Sequence, residues 1–371
     1  MRITEIPTPA VLVDTMRLTR NLSAMQSAAN ARGLRLRPHA KTHKSPQIAR
    51  LQIDRGAVGI CCAKLGEAEV FADAGITDIR LPYPLHPVNA DRVFALADRI
   101  ALSFIVDDPS VAREWSELAA KRGRRLDVLI KVDVGFHRCG IDPAGPEAPG
   151  TVRAIAAMPG LRFRGLLSHA GHGYGAVSEK DMAAIAAREA ETLRDLAAAS
   201  EVRCDEISVG ATPTARFSVR QDGITEIRPG NYAYFDRTQV ALGAAAWDDC
   251  ALTVLARVVS RPARDRVILD SGSKTLTNDG ARGFVNTPGH GAVLRDLHIA
   301  EPETSLLIER LSEEHATVRV LSGETTLAPG ALARIVPNHS CVVSNLVDHV
   351  WLVDGETVVE RMPVAARGRI T

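Results

Sequence analysis

Nine short apolar segments, separated by helical and polar stretches, constrain the fold of this chain more than any other feature. PAVLVD (9–14) comes first. LRLRPHAK (34–41), AVGICCAK (57–64), DIRLPYP (78–84), ALSFIVD (101–107), LDVLIKVDVG (126–135), LRFRGLLSHAG (161–171), EISVGATP (206–213) and EIRPGNYAYFD (226–236) follow. Alanine-rich charged patterns such as AREAETLRDLAAAS (187–200) lie between most of them. Strand, helix, strand at such spacing is the mark of parallel βα units. Setting PAVLVD aside leaves eight strands, the number that closes a (β/α)8 barrel of about 250 residues. An open doubly wound sheet is the competing architecture, but eight repeats are many for it and no GxGxxG fingerprint occurs.

From about Cys250 the pattern changes. LTVLARVVSR, DRVILDSG, HATVRVL, ARIVPNHSCVV and VWLVDGETVVERM are β-rich, with turns and few helical periods between them. They predict a mostly antiparallel second domain. The expected fold class is α/β: a barrel domain over 1–245, followed by a β domain over 246–371. Residues 1–14 could pair with either. A chain of 371 residues is long enough for both cores.

Charge narrows the partners. The chain holds 45 basic and 44 acidic residues, a balance that argues against a nucleic-acid binder, whose affinity rests on excess Lys and Arg. The basic cluster RLRPHAKTHK (35–44) is therefore local. No apolar run approaches the roughly 18 to 20 residues that cross a bilayer, and MRITEIPTPAVLVD lacks the layout of a signal peptide. Six cysteines at 61, 62, 139, 204, 250 and 341 form no CxxC pair. They read as reduced thiols of a cytoplasmic protein.

In such barrels, chemistry sits on the loops at the C-terminal ends of the strands. The conspicuous polar residues fall there: His39 and Lys41 after the first barrel strand, then Asp133, His137 and Arg138 after the fifth. The sixth is followed by His169, His172 and Tyr174, the seventh by Gly210, Thr212 and Thr214, and the eighth by Arg228, Gly230, Asn231 and Tyr232. Small residues after strands seven and eight suit an anion, because their backbone N–H groups can approach it; ordinary turns would use the same residues. Lys41 at a barrel mouth, with Arg37, Lys44 or a histidine nearby to depress its pKa, could present a neutral amine. A lysine facing a phosphate site suggests pyridoxal phosphate.

TPAVLVD, RPHAKTHK, GICCAKLGEAE, KVDVGFHRCG, VGATPT, RPGNYAYFD and PNHSC, in this order from about residue 5 to the terminal VAARGRI, resemble the alanine-racemase-fold pyridoxal phosphate enzymes. The branch they resemble contains metal-dependent D-serine dehydratase and D-threonine aldolase. The resemblance implies that Lys41 carries pyridoxal phosphate and that Arg138 lies by its phenolic oxygen. It places Tyr174 near the pyridine ring and Gly210, Thr212, Gly230, Asn231 and Tyr232 at the phosphate. A homodimer of barrel-plus-β-domain chains is also implied.

His339 and Cys341 form the second chemical signal. An H-x-C pair in extended backbone puts both side chains on one face, and imidazole with thiolate suits Zn²⁺. Taken alone, the pattern is weak and fits a buried histidine beside an unrelated thiol better than a metal site. The resemblance makes the pair a site for a divalent metal, zinc first, with manganese or magnesium as alternatives. His-x-Cys is the dehydratase version and His-x-Asp that of typical aldolases. Cys341 is followed by Val342-Val343, where many relatives have proline.

The implied activity is that of a lyase on small D-β-hydroxy amino acids: β-elimination to a 2-oxo acid and ammonia, or retro-aldol cleavage to glycine and an aldehyde. His169 and His172 are candidate acid/base groups. Two other readings are a barrel metallohydrolase using His39, His43, His169 and His172, and a non-enzymatic pyridoxal phosphate-binding protein. Cys61 and Cys62 read as barrel interior.

Overall fold

The computed structural model describes residues 1–284 and 287–371. The chain starts in the second domain, not in the barrel. Strand β1 (Ala10–Asp14) pairs antiparallel with β10 and parallel with β16, strands given below. Asp14 then caps the helix Thr15–Asn30 by accepting the Arg17 N–H at 2.9 Å, an N-cap interaction that fixes where the chain leaves one sheet for the other.

Eight parallel strands follow: β2 (Arg35–Leu36), β3 (Ile60–Cys61), β4 (Asp78–Pro84), β5 (Ala101–Val106), β6 (Leu126–Lys131), β7 (Leu161–Leu167), β8 (Glu206–Val209) and β9 (Glu226–Ile227). Each pairs with its neighbour from β3 through β9, and β9 pairs with β2. The ring closes through a parallel bridge between His39 and Cys61. There Cys61 donates to the Pro38 carbonyl and Ala40 donates to that of Cys61, both at 2.8 Å. Strands β2 and β9 are shorter than the apolar runs suggest, and each stops immediately before an Arg-Pro pair, Arg37-Pro38 and Arg228-Pro229. Proline has no N–H to continue a ladder.

Two further helices around the barrel begin on side-chain caps. Asp108 accepts from Ser110 and Val111 ahead of the helix Pro109–Lys121, and Ser178 accepts from Asp181 ahead of Glu179–Ser200. Between helices and strands lies an apolar layer that includes Phe71, Phe104 and Trp115, each at most 1% exposed.

The barrel interior is different. Strand residues alternate in direction, and Arg80, Glu206 and Glu226 all turn inward. Arg80 donates to Glu206 at 2.6 Å, Glu226 at 2.5 Å and Ser103 at 3.0 Å. Arg37 reaches Glu226 at 2.9 Å and Asp78 at 2.6 Å. Ile105, Leu129 and Leu167 supply a small apolar cluster of their own. A charged layer thus replaces part of the branched aliphatic filling usual in such barrels.

The second sheet contains β10 (Leu252–Ala263), β11 (Arg266–Leu269), β12 (Ala292–Val293), β13 (Leu306–Leu311), β14 (Ala316–Val320), β15 (Leu332–Val336), β16 (His349–Asp354) and β17 (Thr357–Pro363). Together with β1 they form nine strands, all paired antiparallel except β1 with β16. Its core includes Val254, Ile308, Val318 and Ile335, and it also receives Tyr232 and Tyr234 from the end of the barrel chain.

Candidate active site

A cavity of about 450 Å³ lies where the barrel mouth meets the second domain. Its wall brings together residues from the two ends of the chain. Lys41, His169, Tyr174, Gly210, Thr212, Gly230 and Asn231 come from the barrel loops, and His339 and Cys341 from the second domain.

Lys41 sits in the turn just above the bridge residue His39 and is exposed to the cavity. The cations that the sequence set beside it are engaged elsewhere: Arg37 holds Glu226 and Asp78, and Lys44 forms a buried pair with Glu67 at 2.8 Å. Its companions in the cavity are His39 and His169. Burial, then the Lys41 charge, hold both imidazoles well below the ordinary histidine range, so both are neutral at pH 7. His169 Nδ1 lies 2.8 Å from the Gly210 carbonyl, which can only accept; Nδ1 is therefore the protonated nitrogen and Nε2 keeps a lone pair. Phe136 packs edge-on against the same ring at 5.7 Å.

The two glycine loops are tight. Gly210 has φ +147°, and a Cβ there would come within 2.8 Å of Arg228 N; a Cβ on Gly230 would lie 2.8 Å from the His39 carbonyl. Both positions therefore need a residue without a side chain. Arg228 lies on the wall between them, its Nε donating to Ser208 Oγ at 2.7 Å and its Nη2 to the Ser168 carbonyl.

Three expected site residues do not line the cavity. Tyr232 points its hydroxyl into the protein, where it accepts from Gln52 Nε2 at 3.0 Å. Arg138 is exposed and stacks over Phe136 at 5.0 Å, although its charge is felt by His169 and by the buried Lys131. His172 packs over Gly135, with its Nδ1 buried and without a hydrogen-bond partner. Asn231 does line the cavity, but its amide nitrogen is committed: Nδ2 donates to Asp236 at 2.6 Å and to Ser340 at 3.1 Å. Tyr174 accepts from Gln239 at 3.2 Å, and burial raises its phenol. The four-histidine arrangement of a metallohydrolase does not assemble, because His43 lies outside the cavity against Gln52 and Phe71. No cluster of three or more metal-ligating side chains occurs among the described residues.

His339 and Cys341 meet by a route other than the expected extended strand. Ser340–Leu346 is a short helix with His339 as its N-cap, at φ −144° and ψ 95°. The buried Asp236 carboxylate makes that turn, accepting from Ser340 N at 3.0 Å and Ser340 Oγ at 3.2 Å. Cys341 Sγ lies 3.2 Å from Thr42 Oγ1 in the Lys41 loop and 3.5 Å from Asn231 Nδ2. Burial disfavours a charged His339, but the neighbouring Cys341 thiol, Asp236 and Asp279 outweigh it and raise the imidazole to about 10. The thiol in turn is lowered, burial notwithstanding, by His339.

Sequence reasoning missed Asp236, Asp279, Thr42, Phe136, Gln239 and Lys131. Asp236 closes the RPGNYAYFD run and Lys131 opens KVDVGFHRCG, so position along the motifs was their only signal. Lys131 is buried, and burial together with the Arg228 charge pushes its amine down to about 7.

Residues 13–238 match the family model described as alanine racemase, N-terminal domain, and residues 251–353 match the putative serine dehydratase domain. A D-threonine aldolase of Arthrobacter sp is 34% identical over 99% of this chain and 94% of its own. The chain belongs to the D-serine dehydratase and D-threonine aldolase family of alanine-racemase fold. A second member, the D-threo-3-hydroxyaspartate dehydratase of Delftia sp. (strain HT23), is also 34% identical, over 91% of each chain. Its solved structure superimposes with a TM-score of 0.90 over 98% of both chains, at 30% identity. A Cys→Ala variant of that dehydratase is described as being in the metal-free form.

Proposed function

We propose that this family member is a pyridoxal phosphate- and metal-dependent lyase that removes water from a D-β-hydroxy amino acid. The observation that carries the reading is one cavity lined by Lys41 and by the His339–Cys341 pair, residues that lie in different domains far apart in the sequence. The residues fit both groups. Lys41 offers the amine that bonds an aldehyde cofactor, and the Gly210 and Gly230 loops form a close-packed cradle in which no Cβ fits. Imidazole and thiolate are a zinc-type donor pair, and the metal-free Cys→Ala variant of the related dehydratase supports a cysteine ligand.

Lys41, the Gly210–Thr212 loop and the Gly230 loop would hold pyridoxal phosphate, which when bound draws electrons from the substrate Cα. His339 and Cys341 would hold the metal, a Lewis acid for the β-oxygen. The protein's own part is proton handling and shape. The Lys41 amine takes the Cα proton as general base. His39 and His169, held neutral by burial, do not compete for the substrate carboxylate as cations. Phe136 and Tyr174 contribute aromatic side chains to the cavity wall. Loss of hydroxide from Cβ and hydrolysis of the product then give a 2-oxo acid and ammonia.

Retro-aldol cleavage is the second reading, favoured by His169. Its free Nε2 faces the cavity and could accept the β-hydroxyl proton. The deciding measurement is product identity over a panel of D- and L-β-hydroxy amino acids with added Zn²⁺ or Mn²⁺. Ammonia with a 2-oxo acid supports elimination; glycine with an aldehyde rejects it in favour of cleavage. Borohydride treatment with pyridoxal phosphate should fix the cofactor to Lys41, read by peptide mass, and label located elsewhere would reject Lys41 as its anchor. We infer a homodimer in the cytoplasm. The absence of any membrane-length apolar helix among the described residues and six unpaired cysteines are consistent with that compartment.

A further inference from the structure

His339 has two ring nitrogens, and only one of them can face a metal in the cavity. The other is occupied: His339 Nδ1 lies 2.6 Å from Asp279 Oδ2. A carboxylate oxygen can only accept, so Nδ1 carries a proton and holds it against Asp279, which leaves Nε2 as the nitrogen that can give up its proton to a metal. We propose that Asp279 is a positioning residue for the metal pair, fixing the His339 ring so that its Nε2 lone pair is presented to the ion. The proposal rests on the reading of His339 and Cys341 as metal ligands.

The loop that carries Asp279 is built to hold that contact. Asn338, 1% exposed and adjacent to His339, donates from Nδ2 to the Asp279 carbonyl at 3.0 Å and to the Gly289 carbonyl at 2.9 Å. His339 thus meets the Asp279 side chain while its neighbour pins the Asp279 backbone. On the other side, Asp279 N donates to Thr277 Oγ1 at 3.2 Å. Thr277 has φ +66°, an unusual value for a β-branched residue that persists only where its surroundings enforce it. Farther along, Phe284 N donates to the Ala241 carbonyl at 3.0 Å, fastening the loop to the barrel end of the chain. The loop forms cavity wall through Asp279, Gly280, Ala281 and Arg282.

With Oδ2 on the ring N–H, the proposal assigns Asp279 to the ring and not to the ion. A carboxylate that accepts the far N–H of a ligating histidine fixes its tautomer and raises its basicity, and removal of such partners typically weakens metal binding about 10- to 100-fold.

The test is zinc affinity, measured by chelator competition on the purified protein carrying pyridoxal phosphate. The wild type, Asp279→Ala, Asp279→Asn, His339→Ala and Cys341→Ala are compared. Asp279→Ala should bind zinc about 10- to 100-fold more weakly. Asp279→Asn keeps the shape and an acceptor oxygen, and should recover most of that loss. The cobalt(II) absorbance of Asp279→Asn should match that of the wild type. Wild-type affinity in Asp279→Ala overturns the proposal, and so does an Asp279→Asn loss as large as that of Cys341→Ala, which would make Asp279 a ligand. Should His339→Ala and Cys341→Ala also bind zinc like the wild type, the ligand assignment fails first, and the proposal with it.

Discussion

Glu226→Gln tests whether the charged layer inside the barrel is a structural necessity. Glu226 is fully buried; it takes Arg37 Nε at 2.9 Å, Arg80 Nη1 at 2.5 Å and Ser208 Oγ at 2.6 Å. Burial alone would raise its carboxyl, but Arg80 and Arg37 prevail and lower it from 4.5 to about 2. At about 1.4 kcal/mol per pH unit, that drop corresponds to about 3 kcal/mol. Because the folded-state value is the lower one, this contribution is complete above pH 4.5 and is lost as pH falls toward 2. Glutamine keeps the shape but strands part of two buried cations. Arg80 retains Glu206 and Arg37 retains Asp78, so the expected loss is about 3 kcal/mol at pH 7, within the range for broken buried pairs. Urea unfolding followed by tryptophan fluorescence, to which Trp115 buried against Phe104 contributes, would report it at several pH values. The difference between wild type and variant should shrink steadily below pH 4.5. A loss under about 1 kcal/mol at pH 7, or one equally large at pH 3 and pH 7, would refute the reasoning. The effect should extend upward as well. Ser208 links Glu226 to Arg228 on the cavity wall, so the variant should also retain pyridoxal phosphate less well.

Gly230→Ala puts a methyl 2.8 Å from the His39 carbonyl and 3.1 Å from Thr42 Oγ1. It should displace the Lys41 turn, lower the yield of borohydride labelling at Lys41, and cost about 1–3 kcal/mol by overpacking; unchanged labelling and melting would contradict the tight cradle. His169→Gln should leave labelling at Lys41 intact while slowing turnover about 100-fold, if the ring moves a proton in the reaction; wild-type turnover would remove His169 from the chemistry. Trp115→Ala deletes a fully buried ring that also donates from Nε1 to the Leu85 carbonyl at 2.8 Å. A stability loss of about 3–5 kcal/mol is expected, read as a lower urea midpoint, and a loss below about 1 kcal/mol would mean that the helix layer relaxes around the gap.

The βα order of the barrel and the β-rich tail were legible in the sequence. Each of the eight barrel strands is a local apolar run, and local runs are legible without any partner. The sequence also marked Lys41, Gly210, Gly230, His339 and Cys341, because motif order fixes residue type and spacing. Tertiary structure decided what depends on long-range pairing. Residues 10–14 lie between β10 and β16, which no property of PAVLVD itself could say. Alternation turned Arg80, Glu206 and Glu226 inward, where their charges find one another across strands far apart in sequence. The expected extended H-x-C became the start of a helix because Asp236, about a hundred residues earlier, captures Ser340. The cations expected around Lys41 went to Glu67, Asp78 and Glu226 for the same reason. A buried charge is held by whichever opposite charge the fold brings within reach, and only the closed barrel with its second domain attached sets that distance.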